Sequence, residues 1–139
     1  MAEGTTANVA LGDEHRRLLA ALAAGESVAA AAERMSISRR TAERRLSEAR
    51  TLLGVCTTAE AVAVAGPRRE PAPAALAPRE RQILALIASG RTSRQIASKL
   101  RISPSTVDSC TRSALAKTDS RTRVQAAARF AWSDEVGAD

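Results

Sequence analysis

At 139 residues with a formal net charge of +6, the chain has room for one domain or two very small ones. Its only aromatics are Phe130 and Trp132, which argues against a large enzyme core and for small helical domains built from Leu, Ile, Val and Ala. Cys56 and Cys110 make neither a disulfide framework nor a metal site and read as reduced residues. No apolar run reaches the roughly 18 residues of a membrane span, and no basic N-terminus precedes an apolar core as in a signal peptide.

Residues 1–10 read as a disordered N-terminus, and residues 11–65 as four short helices. His15 lies in the first of these, with no ligand or nucleophile pattern near it, and reads as structural or solvent-facing. The second is "SVAAAAERM". The third, "ISRRTAERRL", turns Arg39, Arg40, Glu43, Arg44 and Ser47 outward with Arg45 at its edge, and ends near Leu53-Gly54-Val55. "GPRREPAPAA", residues 66–75, is Pro-rich and polar and reads as an extended spacer. In polyproline II it would span about 34 Å, close to the spacing of successive major grooves on one face of DNA, although the same segment can also fold back.

Residues 76–132 carry the clearest local signals. Pro78 suits the first turn of a helix, with Ile83, Leu84 and Ile87 on one face and Gly90 as a left-handed cap. "TSRQ" is a capping box, Thr92 at the N-cap and Gln95 three residues on, opening a short helix that buries Ile96, Ala97 and Leu100. A tight turn follows at Arg101–Ser103. Ser103 caps the next helix and Pro104 takes its first position; that helix runs to about Lys117. A fourth begins near Ser120 and carries Val124, Ala127 and Phe130, and residues 133–139 form an acidic tail. Two helices joined by a three-residue turn make a helix-turn-helix, whose second helix enters a major groove.

The two halves echo one another. Laid over residues 76–130 without a gap, residues 11–65 give fourteen identities in 55 positions, among them Gly25 with Gly90, Ile37-Ser38 with Ile102-Ser103 and Thr41 with Thr106. They fall on apolar, glycine and capping positions, as expected of a duplicated fold. Charge is divided unevenly. Residues 10–65 hold eight basic and seven acidic residues, residues 76–132 eleven basic and three acidic. The concentrated positive field points the second half to a polyanion, with nucleic acid the first candidate.

"LAPRERQILALIASGRTSRQIASKLRISPSTV" resembles the LuxR-type helix-turn-helix of the LuxR, FixJ and GerE regulators over residues 76–130. Residues 11–65 resemble the same module more weakly. The resemblance implies an all-α fold of two tandem four-helix modules and binding to double-stranded DNA. It implies that Thr106 meets a phosphate, that residues 108, 109 and 112 (Asp108, Ser109, Arg112) read base edges, and that Lys117 sits near the backbone. Ser105 and Arg94 join that interface, and Arg39, Arg40, Thr41, Glu43, Arg44 and Ser47 are its counterparts in the first module. The sequence departs from the family at Asp108, where a lysine is usual, at Cys110, often a histidine, and at "KTDSR", where a Leu-Gly pair is usual. No receiver or ligand-sensing domain is expected in so short a chain.

The expectation is a sequence-specific transcriptional regulator from bacterial cytoplasm, without enzymatic activity, cofactor, metal or membrane contact. The alternative is a protein adaptor whose helix-turn-helix units dock on RNA polymerase or another regulator. A homodimer is left open. Thr111, Ala114 and Thr118 stand where bulkier apolar residues are expected, so the second module should have a thin core that Thr118→Leu would fill. Asp108 and Arg112, four residues apart, should lie side by side on their helix.

Overall fold

The computed structural model describes residues 11–67 and 75–137, with side chains through residue 133. Among them are eight helices and no strand: α1 Asp13–Ala23, α2 Val28–Arg34, α3 Arg39–Leu53, α4 Thr58–Ala65, α5 Pro78–Ala88, α6 Ser93–Leu100, α7 Pro104–Thr118 and α8 Arg123–Gly137. The fold is all-α, as the apolar spacing and the caps require. Residues 1–10 and most of the Pro-rich segment lie outside the described residues.

Each of α1–α4 starts 65 residues before its counterpart among α5–α8. The local chemistry that sets these starts recurs. Ser38 accepts a hydrogen bond from the Thr41 amide at 3.0 Å, and Ser103 from the Thr106 amide at 3.1 Å. Thr57 and Thr122 accept from the amides of Glu60 and Gln125 at 3.2 and 3.0 Å. Each of these caps satisfies one of the unpaired amides of a first helical turn. The left-handed residues also recur at the same offset, as Gly25 and Gly90, Ser36 and Arg101, and Gly54 and Asp119.

The fourth helix of the second set departs from expectation at both ends. It starts at Arg123 rather than near Ser120, because Asp119 is left-handed and Thr122 supplies the cap. Its backbone stays helical to Gly137, through most of the segment read as a tail.

α8 belongs to both halves of the fold. Ala128 and Trp132 are buried in the core formed by α1–α4, and Ala59 of α4 is buried in the core formed by α5–α8. Trp132 donates its indole N–H to the Ala63 carbonyl at 3.1 Å, so its one polar atom is satisfied while the ring is fully enclosed. α4 and α5, the helices on either side of the Pro-rich segment, pack on one another.

The threonines at the thin end of this core are enclosed and their hydroxyls satisfied. Thr118 has no exposed surface, and its hydroxyl donates to the Ala114 carbonyl at 2.8 Å and lies 2.9 Å from the Ser120 hydroxyl. Thr111 likewise donates to the Val107 carbonyl at 2.7 Å. With their hydroxyls turned onto the helix backbone, both threonines present methyl groups to the core. Thr118→Leu therefore adds bulk at a site already closed to solvent and removes one of the two hydrogen-bond partners of Ser120. We expect it to destabilise the chain by about 1–3 kcal/mol, read as a lower melting temperature.

Candidate nucleic-acid interface

α6 and α7 form the helix-turn-helix. α6 ends on left-handed Arg101, the Ile102 amide bonds back to the Ala97 carbonyl at 3.0 Å, and Ser103 then caps α7. Val107, Thr111, Ala114 and Thr118 face inward, and Leu115 is half-buried against the same core. The opposite face exposes Ser105, Thr106, Asp108, Ser109, Arg112 and Lys117, with Arg94 exposed on α6. The side chains assigned to DNA in this half are thus all at the surface.

What holds α7 in place was not legible in the sequence. Glu80, in the first turn of α5, is buried, and its carboxylate gathers three donors. The Ala77 amide lies at 2.8 Å, the Ser113 hydroxyl at 2.6 Å and the Lys117 ammonium at 3.0 Å. Lys117 is therefore braced against α5, only part of its ammonium facing outward. The hydrogen bond from Ser113, with help from the Ala77 amide and Lys117, holds the Glu80 carboxyl below its ordinary value despite burial.

His15, 65 residues earlier, does the same job with different atoms. Its Nδ1 accepts the Gly12 amide at 3.0 Å and its Nε2 lies 3.1 Å from Glu48, the position aligned with Ser113. A neutral ring protonated on Nε2 satisfies both contacts at once. The bond from His15, then Arg45, holds the Glu48 carboxyl below its usual range. In each half, the third residue of the first helix ties its own N-cap to the middle of the third helix.

A group whose folded pKa is depressed adds stability above its unfolded pKa and loses it as pH falls through the folded value. Glu80 and Glu48 both carry that sign, so stability should fall as pH drops through and below the ordinary carboxylate range. We expect Glu80→Gln to be less stable at neutral pH and to show a flatter acid limb. Unfolding midpoints at several pH values would check this.

Asp108 and Arg112 do not pair. Arg112 reaches only the Ser109 hydroxyl, at 3.4 Å, and the Asp108 carboxylate acts instead on Arg123. Arg123, itself half-buried, donates to Ser93 at 2.6 Å and so links α8 to the start of α6. Burial lowers the Arg123 pKa while the charge of Asp108 opposes that shift. The expected side-by-side placement overlooked a cation arriving from another helix. Arg129 is also turned inward, donating to the Thr118 carbonyl and, at 3.0 Å, to Ser120. Part of the second half's positive charge is thus internal bracing, while Arg91, Arg94, Lys99, Arg101 and Arg112 remain exposed.

On α3, Arg39, Arg40, Glu43, Arg44 and Ser47 are exposed, and Thr41 is half-buried with its hydroxyl 2.9 Å from Ser38. Arg39 pairs with Glu43 at 3.2 Å. Arg45 is committed to Glu14 at 2.6 Å and Glu48 at 3.2 Å. Among the described residues no ion pair engages Arg40 or Arg44, so these two carry the usable positive charge of this face.

Residues 74–130 match the family described as bacterial regulatory proteins, luxR family. They form a LuxR-family helix-turn-helix domain. The LuxR-family domain covers α5, α6, α7 and the first half of α8, and its presence marks a DNA-binding transcription regulator. No curated protein and no solved structure matches the chain. No described helix is long and apolar enough to cross a membrane.

Proposed function

We propose that the chain is a sequence-specific transcriptional regulator that places two helix-turn-helix modules in major grooves, α7 of the LuxR-family domain as the main reader and α3 as a second. The observation that carries this reading is the outward face of α7, whose polar side chains are exposed while Glu80 fixes the helix from behind. The first module is the same fold in a degenerate form: its helix starts, caps, left-handed residues and first-helix brace recur 65 residues apart. Arg94, Ser105, Thr106, Asp108, Ser109, Arg112 and Lys117 are the proposed contacts of one module, and Arg39, Arg40, Thr41, Glu43, Arg44 and Ser47 those of the other.

A protein-docking role has one observation in its favour, confined to the first module. Leu52, 47% exposed, stands where the second module has Lys117. An apolar side chain there suits a protein partner such as RNA polymerase better than a phosphate.

The two readings separate in a salt titration on random duplex. It is best done on the intact chain, because cutting between the halves would uncover Trp132 and Ala128. Log affinity should fall steeply against log salt, by about 0.9 per phosphate neutralised. A variant carrying Arg40→Ala and Arg44→Ala should lose one to two such contacts from the slope. An unchanged slope would assign the α3 face to a protein.

A further inference from the structure

The contacts between the two halves come in reciprocal pairs. α1 packs on α8, and its counterpart α5 packs on α4. Gly25 and Gly90 are both left-handed, and each lies against the end of a side chain from the other half: a Cβ at Gly25 would touch Gln125, and a Cβ at Gly90 would touch the carboxylate of Glu60. Gly90 is Gly25 plus 65, and Gln125 is Glu60 plus 65. These two side chains also play one local part, accepting the amides of Arg121 and Cys56 at 2.8 and 3.1 Å. Ala59 enters the second core, and its counterpart Val124 packs against the first.

When residue i of one unit meets j of the other, and j of the first meets i of the second, the interface is isologous and the units are related by a twofold axis. A head-to-tail array strung along the linker would instead join unlike surfaces. Here both partners belong to one chain, so the axis is approximate. It relates every element of one module to its counterpart, α3 and α7 included. Operator symmetry mirrors protein symmetry: helices related by a twofold read half-sites of opposite polarity. The outward residues of the two helices differ, with Arg40, Glu43 and Arg44 on one and Ser105, Asp108 and Ser109 aligned on the other.

We propose that one chain is a built-in dimer that reads an inverted pair of unlike half-sites, in one orientation, at a spacing fixed by the α4–α8 interface. The proposal rests on the DNA-binding reading above. A second copy is not needed, because the faces through which the modules meet are each covered by the other.

The test is selection of duplexes from a random library with the intact protein, followed by sedimentation of the complex. The expected result is two different submotifs of opposite polarity at one spacing, with one chain per duplex. Inserting about five base pairs between them, half a helical turn, should cost roughly 100-fold in affinity, because the second contact can no longer form. A single submotif, a direct repeat, two chains per duplex or tolerance of the insertion would overturn the built-in dimer while leaving DNA binding intact. Failure to bind any duplex at low salt would overturn both.

Discussion

Trp132→Ala is expected to destabilise the chain by about 3–5 kcal/mol, a large share of the roughly 5–15 kcal/mol that holds a small domain folded. The ring is enclosed between α8 and the first core, and its N–H is spent on the Ala63 carbonyl. Truncation would open a cavity at the junction and leave that carbonyl without its donor. Since α8 contributes Ala126 and Ala127 to one core and Ala128 to the other, the parent chain should melt in a single transition. Trp132→Ala should lower the midpoint and begin to uncouple the halves. Calorimetry with a second probe on each half would check this. Two separate transitions in the parent chain would show that the cores are energetically independent.

Arg112→Ala should weaken binding to the preferred site far more than binding to random duplex. The guanidinium is exposed on α7 and holds nothing stronger than a 3.4 Å contact to Ser109, so it is free to bond bidentately to guanine O6 and N7, worth about 1–3 kcal/mol of discrimination. Asp108→Ala separates two roles. If the carboxylate accepts a hydrogen bond from cytosine N4, its loss keeps or raises overall affinity but costs about 1–3 kcal/mol of discrimination at one base pair. If it serves only as a charge near Arg123, the selected motif stays the same and the packing of α8 on α6 loosens instead. Competition binding with matched preferred and random duplexes reads both variants.

The local parts of the fold were legible in the sequence because caps and left-handed turns are written in three or four adjacent residues. Thr92 with Gln95, Ser103 with Pro104, and Gly90 all stand where expected. The outward face of α7 followed from helical periodicity alone. Features that depend on distant partners were not legible. Glu80 meets residues 33 and 37 positions away, and nothing in "PRERQIL" announces a buried carboxylate. His15 looked idle because its partner is Glu48, on another helix. Thr111 and Thr118 read as weak core residues because hydropathy ignores where a hydroxyl points. The junction at Trp132 was hidden by a linker whose length allows both a spread and a folded-back chain. The echo between the halves was visible as spacing, but its symmetry became apparent only when Gly25 met Gln125 and Gly90 met Glu60.

Entry of α7 into the groove can be followed through the backbone amide shifts of the labelled intact protein as a selected duplex is added. The largest changes are expected at Ser105, Thr106, Asp108, Ser109 and Arg112, with smaller ones at Arg40 and Arg44 and little change at buried Ile83, Leu84 and Trp132. Changes confined to Leu52, Val64 and their neighbours, with α7 silent, would contradict it.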